Sequence, residues 1–229
     1  MRLGGKAAFF AEHLRPESIS GFDLPGLRPE VPLEFAARKG ITNCRFTNGF
    51  AEEMPYAAEQ FDVVILEDVL EHVRDPEQTI RECFRVLGRP GTLIAKFPSF
   101  KSMGGHHLDR ALHFPALHYL LPIRTWASGL NYLLMESRGR LTYTPFDAIV
   151  ATKYSPAITS NLNGLHYSAF RKIVGNSGFR TSTLALIPFK GSSPVKRAIV
   201  PVYRLFFRLR VLREFLSNFV FYIGVKDTV

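Results

Sequence analysis

Two periodicities alternate along the first hundred residues. Lys6–Leu14 and Pro32–Gly40 carry apolar side chains at helical spacing, the second closed by glycine. Short apolar runs at Ser18–Asp23, Asn43–Thr47 and Phe61–Leu66 read as strands. Asp75–Gly91 predicts a helix with an aspartate cap, proline at its first position, Ile80, Phe84 and Leu87 on one face, and Gly and Pro to end it. Thr92–Phe97 is a further apolar strand. Strands alternating with helices predict an α/β fold, with a mostly parallel sheet and helices on both faces.

Beyond Phe97 the rhythm breaks. Residues 98–165 are rich in Pro, Gly, aromatic residues and histidine without a clear period, which predicts a partly helical lid or binding insertion. The βα pattern resumes with a helix and glycine stop over Tyr167–Phe179 and a strand over Arg180–Phe189. Residues 190–229 supply a basic helix from Pro194 to about Glu214 and a final strand, Asn218–Val225. A chain of 229 residues that is 46% hydrophobic is long enough for one well-buried domain and short for two, so 1–229 is expected to be a single domain.

The two cysteines, Cys44 and Cys83, offer neither metal-ligand spacing nor a disulfide framework, which fits a reducing, cytoplasmic setting. The longest apolar run near the C-terminus, Phe215–Val225, falls short of the roughly 18 residues a spanning helix needs, so no signal or transmembrane segment is expected.

Charge changes the picture at the C-terminal end. From His166 onward eleven Lys or Arg face two acids, Glu214 and Asp227, so this part carries the whole net charge of +9. Such an excess attracts anionic lipid, nucleic acid or a phosphorylated substrate, or simply solvates one face. No aromatic-basic RNA motif is present, so no nucleic acid is expected. Arg197, Arg204 and Arg208 align in a helical projection, with Tyr203, Phe206 and Phe207 between the charges. Peripheral contact with an anionic membrane is the partner expectation, beside a small-molecule or lipid-linked substrate.

The candidate chemistry begins where the apolar run Phe61–Leu66 gives way to Glu67, Asp68, Glu71 and His72. Acids near a helix start are electrostatically ordinary, but the carboxyl edge of an open α/β sheet is also where such folds hold ligands. The run "FDVVILEDVLEHVRDPEQTIRECFRVLGRPGTLIAKFP" strongly resembles the middle of class I S-adenosylmethionine-dependent methyltransferases, of the type 11 methyltransferase domain family, whose fold is Rossmann-like. Upstream, "GFDLP" resembles the second-strand end and "CRFTNGFAEEMPY" the segment that packs on adenine. Downstream, "LNGLHYSAFRKIVGNSGF" resembles the late helix and glycine before the sixth strand. The resemblance covers most of residues 1–98 and 161–189.

The resemblance implies an enzyme that uses S-adenosyl-L-methionine to methylate a small or lipid-linked acceptor. It puts the ribose hydroxyls on Asp23 beside Leu24, a role that a strand-end acid also plays in dinucleotide-binding folds. It flanks the adenine with Phe50 and Ala51, although the family usually has an acid where Phe50 stands. Glu67 and Asp68 fall near the cofactor's amino-acid end, where a carboxylate suits an ammonium group. Asp68, Glu71 and His72 are spaced to share one side of a helical turn. In ubiquinone-type relatives a similar segment is associated with a divalent metal; the expectation for this chain is no metal, with His72 packed on the sheet. His72 and the insertion histidines His106 and His107 are the candidate general bases, since imidazole titrates near neutral pH. His113 and His118 lie in the same insertion.

One departure stands out. The family's first strand and glycine turn are represented here only by Gly4 and Gly5, in "MRLGGKAAFF". Losing a strand buried on both faces leaves a gap in the sheet and removes the backbone cradle of the cofactor's methionine end. Either the start lies upstream, or the chain is a non-catalytic binding or scaffold relative.

Overall fold

A computed structural model describes residues 5–25, 30–105, 117–137, 148–189 and 194–228. Their contacts divide the chain into two compact units, Met1–Tyr56 and Ala57–Val229.

In the first unit α1 (Gly5–Leu14) leads to β1 (Ile19–Asp23), then α2 (Glu30–Arg38) and β2 (Cys44–Asn48). Gly40 ends the α2 turn at φ 71°, a left-handed conformation that costs glycine little. The two strands pair in parallel from Ile19 opposite Cys44 to Asp23 opposite Asn48, so both carboxyl ends lie together.

The second unit is built on a four-stranded sheet. β3 (Phe61–Glu67) and β4 (Leu87–Phe97) are joined by α3 (Pro76–Val86). Asp75 caps α3 as its sequence predicts, accepting from the N–H groups of Glu77 at 2.9 Å and Gln78 at 3.0 Å, with Pro76 following it. The predicted glycine-proline helix end is different: α3 stops at Val86, and Leu87 opens β4 in an extended conformation. The described parts of the insertion are α4 (Leu117–Leu120), α5 (Ile123–Glu136) and a hairpin of β5 (Ile149–Val150) and β6 (Ile158–Thr159). After α6 (Tyr167–Gly175) and β7 (Arg180–Pro188), the predicted basic helix is two: α7 (Pro194–Phe207) and α8 (Arg210–Arg213), separated at Arg208 and Leu209. β8 (Ser217–Lys226) completes the sheet.

β3 and β4 are parallel, whereas β8 runs antiparallel to both β4 and β7, so the sheet is mixed. Leu93, Ala95 and Phe97 of β4 and Val220 and Tyr222 of β8 are fully buried on one face. They pack with Phe170 of α6, whose ring meets Phe97 edge-on at 4.9 Å and Tyr222 at 5.4 Å. Residues between them on the other face, such as Ile94, Phe221 and Ile223, are half-buried. α5 has a smaller core of its own, Trp126, Ala127, Leu130 and Leu134, with Ile123 and Ile149 packed against it.

β3 reads in sequence as an apolar, buried strand, yet among the described residues it has a ladder partner on one side only. Val63 in its middle is 50% exposed. β1 likewise pairs only with β2.

Candidate functional site

In the first unit, the carboxyl ends of β1 and β2 bring the adenosine-type candidates together. The Asp23 carbonyl accepts from the Gly49 N–H at 2.9 Å, which places Phe50 directly after the residue bound to Asp23. The Asp23 carboxylate is exposed, and one oxygen accepts from the Leu24 N–H at 2.8 Å. Its second oxygen is suited to a diol. The Phe50 side chain is 43% exposed, Leu24 is also exposed, and Ala51 is buried. A Cβ at Gly49 would come within 2.8 Å of the tip of the Phe22 ring, so a larger residue there has to displace that ring. Gly5 begins α1, while Gly4 lies outside the described residues.

In the second unit, Glu67 ends β3 opposite Lys96 of β4. Lys96 Nζ donates to Glu67 Oε1 at 2.8 Å and sits 3.6 Å from Asp68 Oδ1. Burial alone would lower the Lys96 pKa, but the hydrogen bond and charge of Glu67, with the charge of Asp68, outweigh it and raise it above the ordinary lysine value. Glu67, expected from sequence to meet a cofactor's ammonium group, meets this internal one. A lone lysine one residue from the end of the apolar strand "TLIAKF" was the available signal.

Asp68, Glu71 and His72 do not share a helical face. Asp68 adopts φ 56°, in the left-handed region that aspartate tolerates, and its N–H donates to Lys96 O at 2.9 Å. The chain then passes through turns until α3 begins at Pro76. Among the described residues no group of three or more His, Cys, Asp or Glu is arranged to hold a metal.

Glu71 is buried, whereas His72 is partly exposed. His72 Nδ1 lies 2.6 Å from Asn161 O, and Nε2 lies 3.8 Å from Glu71 Oε1. A carbonyl can only accept, so Nδ1 carries a proton. Both ring nitrogens therefore face a protein group, an arrangement that ties the turn to the insertion more than it poises a base. Asn163 strengthens the same tie, its side-chain amide donating to Leu70 O at 2.6 Å and Val73 O at 2.8 Å.

His106, His107 and His113 lie outside the described residues; His118 falls in α4, with its side chain outside them. His166, which the sequence reading did not single out, caps α6: its Nδ1 accepts from Ser168 Oγ at 3.0 Å and Ala169 N–H at 3.4 Å. Burial and then the nearby Lys101 charge lower its pKa, against an opposing pull from Glu214. With Nδ1 accepting, the ring carries its proton on Nε2.

Among the described residues, two of the clefts lie in the second unit. One of about 390 Å³ is lined by Phe100, Pro122, Ile123, Arg124 and Ser155, and Phe100 lies three residues beyond the end of β4. The larger, about 510 Å³, is lined by Glu59, Phe84, Arg85 and Lys226 and sits where β3 enters the sheet, opposite its ligand-type end.

Against known proteins, residues 4–95 match the methyltransferase domain family. The chain is 58% identical over 92 residues to the ubiquinone biosynthesis O-methyltransferase of Pseudomonas fluorescens (strain Pf0-1), covering 38% of each chain. It is 29% identical over 105 residues to the chloroplastic 2-methyl-6-phytyl-1,4-hydroquinone methyltransferase of Spinacia oleracea, covering 43% of this chain and 30% of that one. A third relative, the uncharacterized methyltransferase YcgJ of Bacillus subtilis (strain 168), is 34% identical over 74 residues, or 32% of this chain and 29% of its own. The chain thus spans between 29% and 38% of the length of these curated relatives. The crystal structure of the Bacillus subtilis YcgJ protein superposes with a TM-score of 0.55 at 16% identity, over 99% of this chain and 89% of that one. The fold is therefore the α/β, Rossmann-like fold of class I methyltransferases.

No helix among the described residues is long and apolar enough to cross a membrane.

Proposed function

We propose that this chain transfers a methyl group from S-adenosyl-L-methionine to a small or lipid-linked acceptor. The observation carrying this reading is Asp23 at the end of β1, its carboxylate exposed beside Phe50, inside a stretch that matches the methyltransferase domain family. The relatives named for ubiquinone biosynthesis and for a phytyl hydroquinone support an acceptor with a lipid-like part.

Within each unit, side chains suit one part of such a cofactor. Asp23 has a carboxylate oxygen for a ribose diol, and the exposed Phe50 ring offers a face for stacking in place of the family's acid. Glu67 is a carboxylate for an ammonium group, while Lys96 beside it suits a carboxylate. When bound, S-adenosylmethionine supplies an already activated methyl group on its sulfonium. The protein's remaining work is to align the acceptor and remove its proton. The insertion supplies the acceptor cleft beside Phe100 and Ile123, and His106 and His107 are the proposed proton acceptors.

The second reading is a non-catalytic binding or scaffold protein of this fold. One observation favours it: Lys96 already occupies Glu67, so a cofactor's ammonium has to compete with an internal one. Incubation with S-adenosylmethionine labelled in its methyl group, beside a lipid extract and an aqueous metabolite extract, separates the two. Label in the organic phase supports the proposed acceptor class. Binding of the cofactor without label in either extract supports the scaffold.

A further inference from the structure

The segment between β7 and β8 carries an apolar surface that is exposed among the described residues. Val202, Leu205 and Phe206 of α7 stand at i, i+3 and i+4, and Leu209 follows at i+7. That spacing normally marks the buried stripe of a helix. Here all four are exposed, Leu205 at 61% and Phe206 at 47%, and Val211 of α8 reaches 88%.

A different stripe anchors the helix. The rings of Tyr203 and Phe207 stack with centroids 6.3 Å apart and are partly buried, and Tyr203 Oη accepts from the Phe189 N–H at 2.9 Å, just past β7. Because side chains four apart share a face, this anchor turns Val202, Leu205 and Phe206 outward.

Arg204, Arg208, Arg210 and Arg213 are exposed among these apolar side chains. The sequence from Pro194 to Arg213 contains no acid. The first, Glu214, is turned inward, where Oε1 accepts from Ser99 Oγ at 2.6 Å and from the Tyr167 N–H at 2.7 Å. The arginine charge is thus not neutralised within the segment.

We propose that α7 and α8 seat the protein on an anionic lipid surface. Leu205, Phe206, Leu209 and Val211 enter the boundary between headgroups and acyl chains, and the arginines meet lipid phosphates. A second copy of the chain does not fit, because a symmetric contact would set the same four arginines against each other. A nucleic-acid strand would answer the arginines but give Leu205, Leu209 and Val211 nothing apolar to pack on. The inference is independent of methyl transfer, since it uses none of the proposed cofactor residues.

The test is co-sedimentation with vesicles of phosphatidylcholine alone or mixed with phosphatidylglycerol, at low and high salt. Several-fold more protein should pellet with the mixed vesicles at low salt, and high salt should reverse much of it. Leu205→Ser with Phe206→Ser, and separately Arg204→Gln with Arg208→Gln, should each return pelleting to the neutral-vesicle level with the thermal midpoint unchanged. The added fluorescence of a Phe206→Trp variant should be quenched by brominated acyl chains, while that of the buried Trp126 in the parent protein is not. Equal recovery in the supernatant under all conditions overturns the proposal. Pelleting that survives the serine substitutions, or an emission of the Phe206→Trp variant that brominated lipid leaves unchanged, also overturns it. Polyglutamate that displaces the protein from vesicles and depends on Leu205 and Phe206 would point instead to an acidic protein groove.

Discussion

Lys96 and Glu67 face each other across the parallel register of β4 and β3, with Nζ and Oε1 2.8 Å apart at the edge where the sheet delivers its acids. Asp68 lies 3.6 Å from the same ammonium, so one lysine holds two adjacent carboxylates together. Replacing Lys96 leaves those carboxylates to repel each other. Because all three side chains are partly exposed, Lys96→Met is expected to cost about 0.5–1 kcal/mol, and less at high salt. Chemical denaturation at two salt concentrations measures this; an unchanged midpoint at low salt would remove the pair from the stability account.

Lys226 makes a different kind of contact. Its side chain is buried, and Nζ donates to Phe84 O at 2.9 Å and Leu87 O at 2.6 Å, where α3 ends with unsatisfied carbonyls and the negative pole of its dipole. Lys226→Met keeps much of the packing volume but strands both acceptors, so a loss of about 1–3 kcal/mol is expected in urea unfolding. A loss confined to a few tenths would mean that the carbonyls find other donors.

His166 gives the fold a pH dependence. Burial, then the Lys101 charge, lowers its pKa from the ordinary 6.5, so the unfolded chain takes up a proton at a pH where the folded one does not. Its contribution is therefore present above about pH 6.5 and is lost as the pH falls through the lowered folded value. Thermal midpoints of wild type and His166→Asn, which keeps a capping acceptor, should diverge in slope between pH 7.5 and 5.5, the variant falling less. Parallel slopes would exclude His166 as the source.

Sequence disclosed what depends on neighbours along the chain. Asp75 and Pro76 announce the start of α3, and Gly40 the end of α2, because capping acts within one turn. The acid at the end of β1 and the aromatic after β2 were equally readable. Lys96 was missed because its partner is 29 residues away and depends on strand register. Asp68 was read on a helical face because its left-handed turn has no glycine to mark it. The outward rotation of α7 was unreadable for a similar reason: its anchor runs from Tyr203 to the backbone of Phe189, a tertiary contact. The break at Arg208 and Leu209 also lacks a Gly or Pro signal, and Pro201 instead lies within α7.

Cofactor binding is the point on which the methyltransferase reading stands. The decisive measurement is calorimetric titration of S-adenosylhomocysteine into wild type and Asp23→Ala side by side, with circular dichroism to verify that both are folded. The account predicts saturable binding to the wild type and a loss of about 1.5–3 kcal/mol in Asp23→Ala, the range for hydrogen bonds to a charged group. The same affinity in both proteins, or no binding up to millimolar ligand, would contradict it.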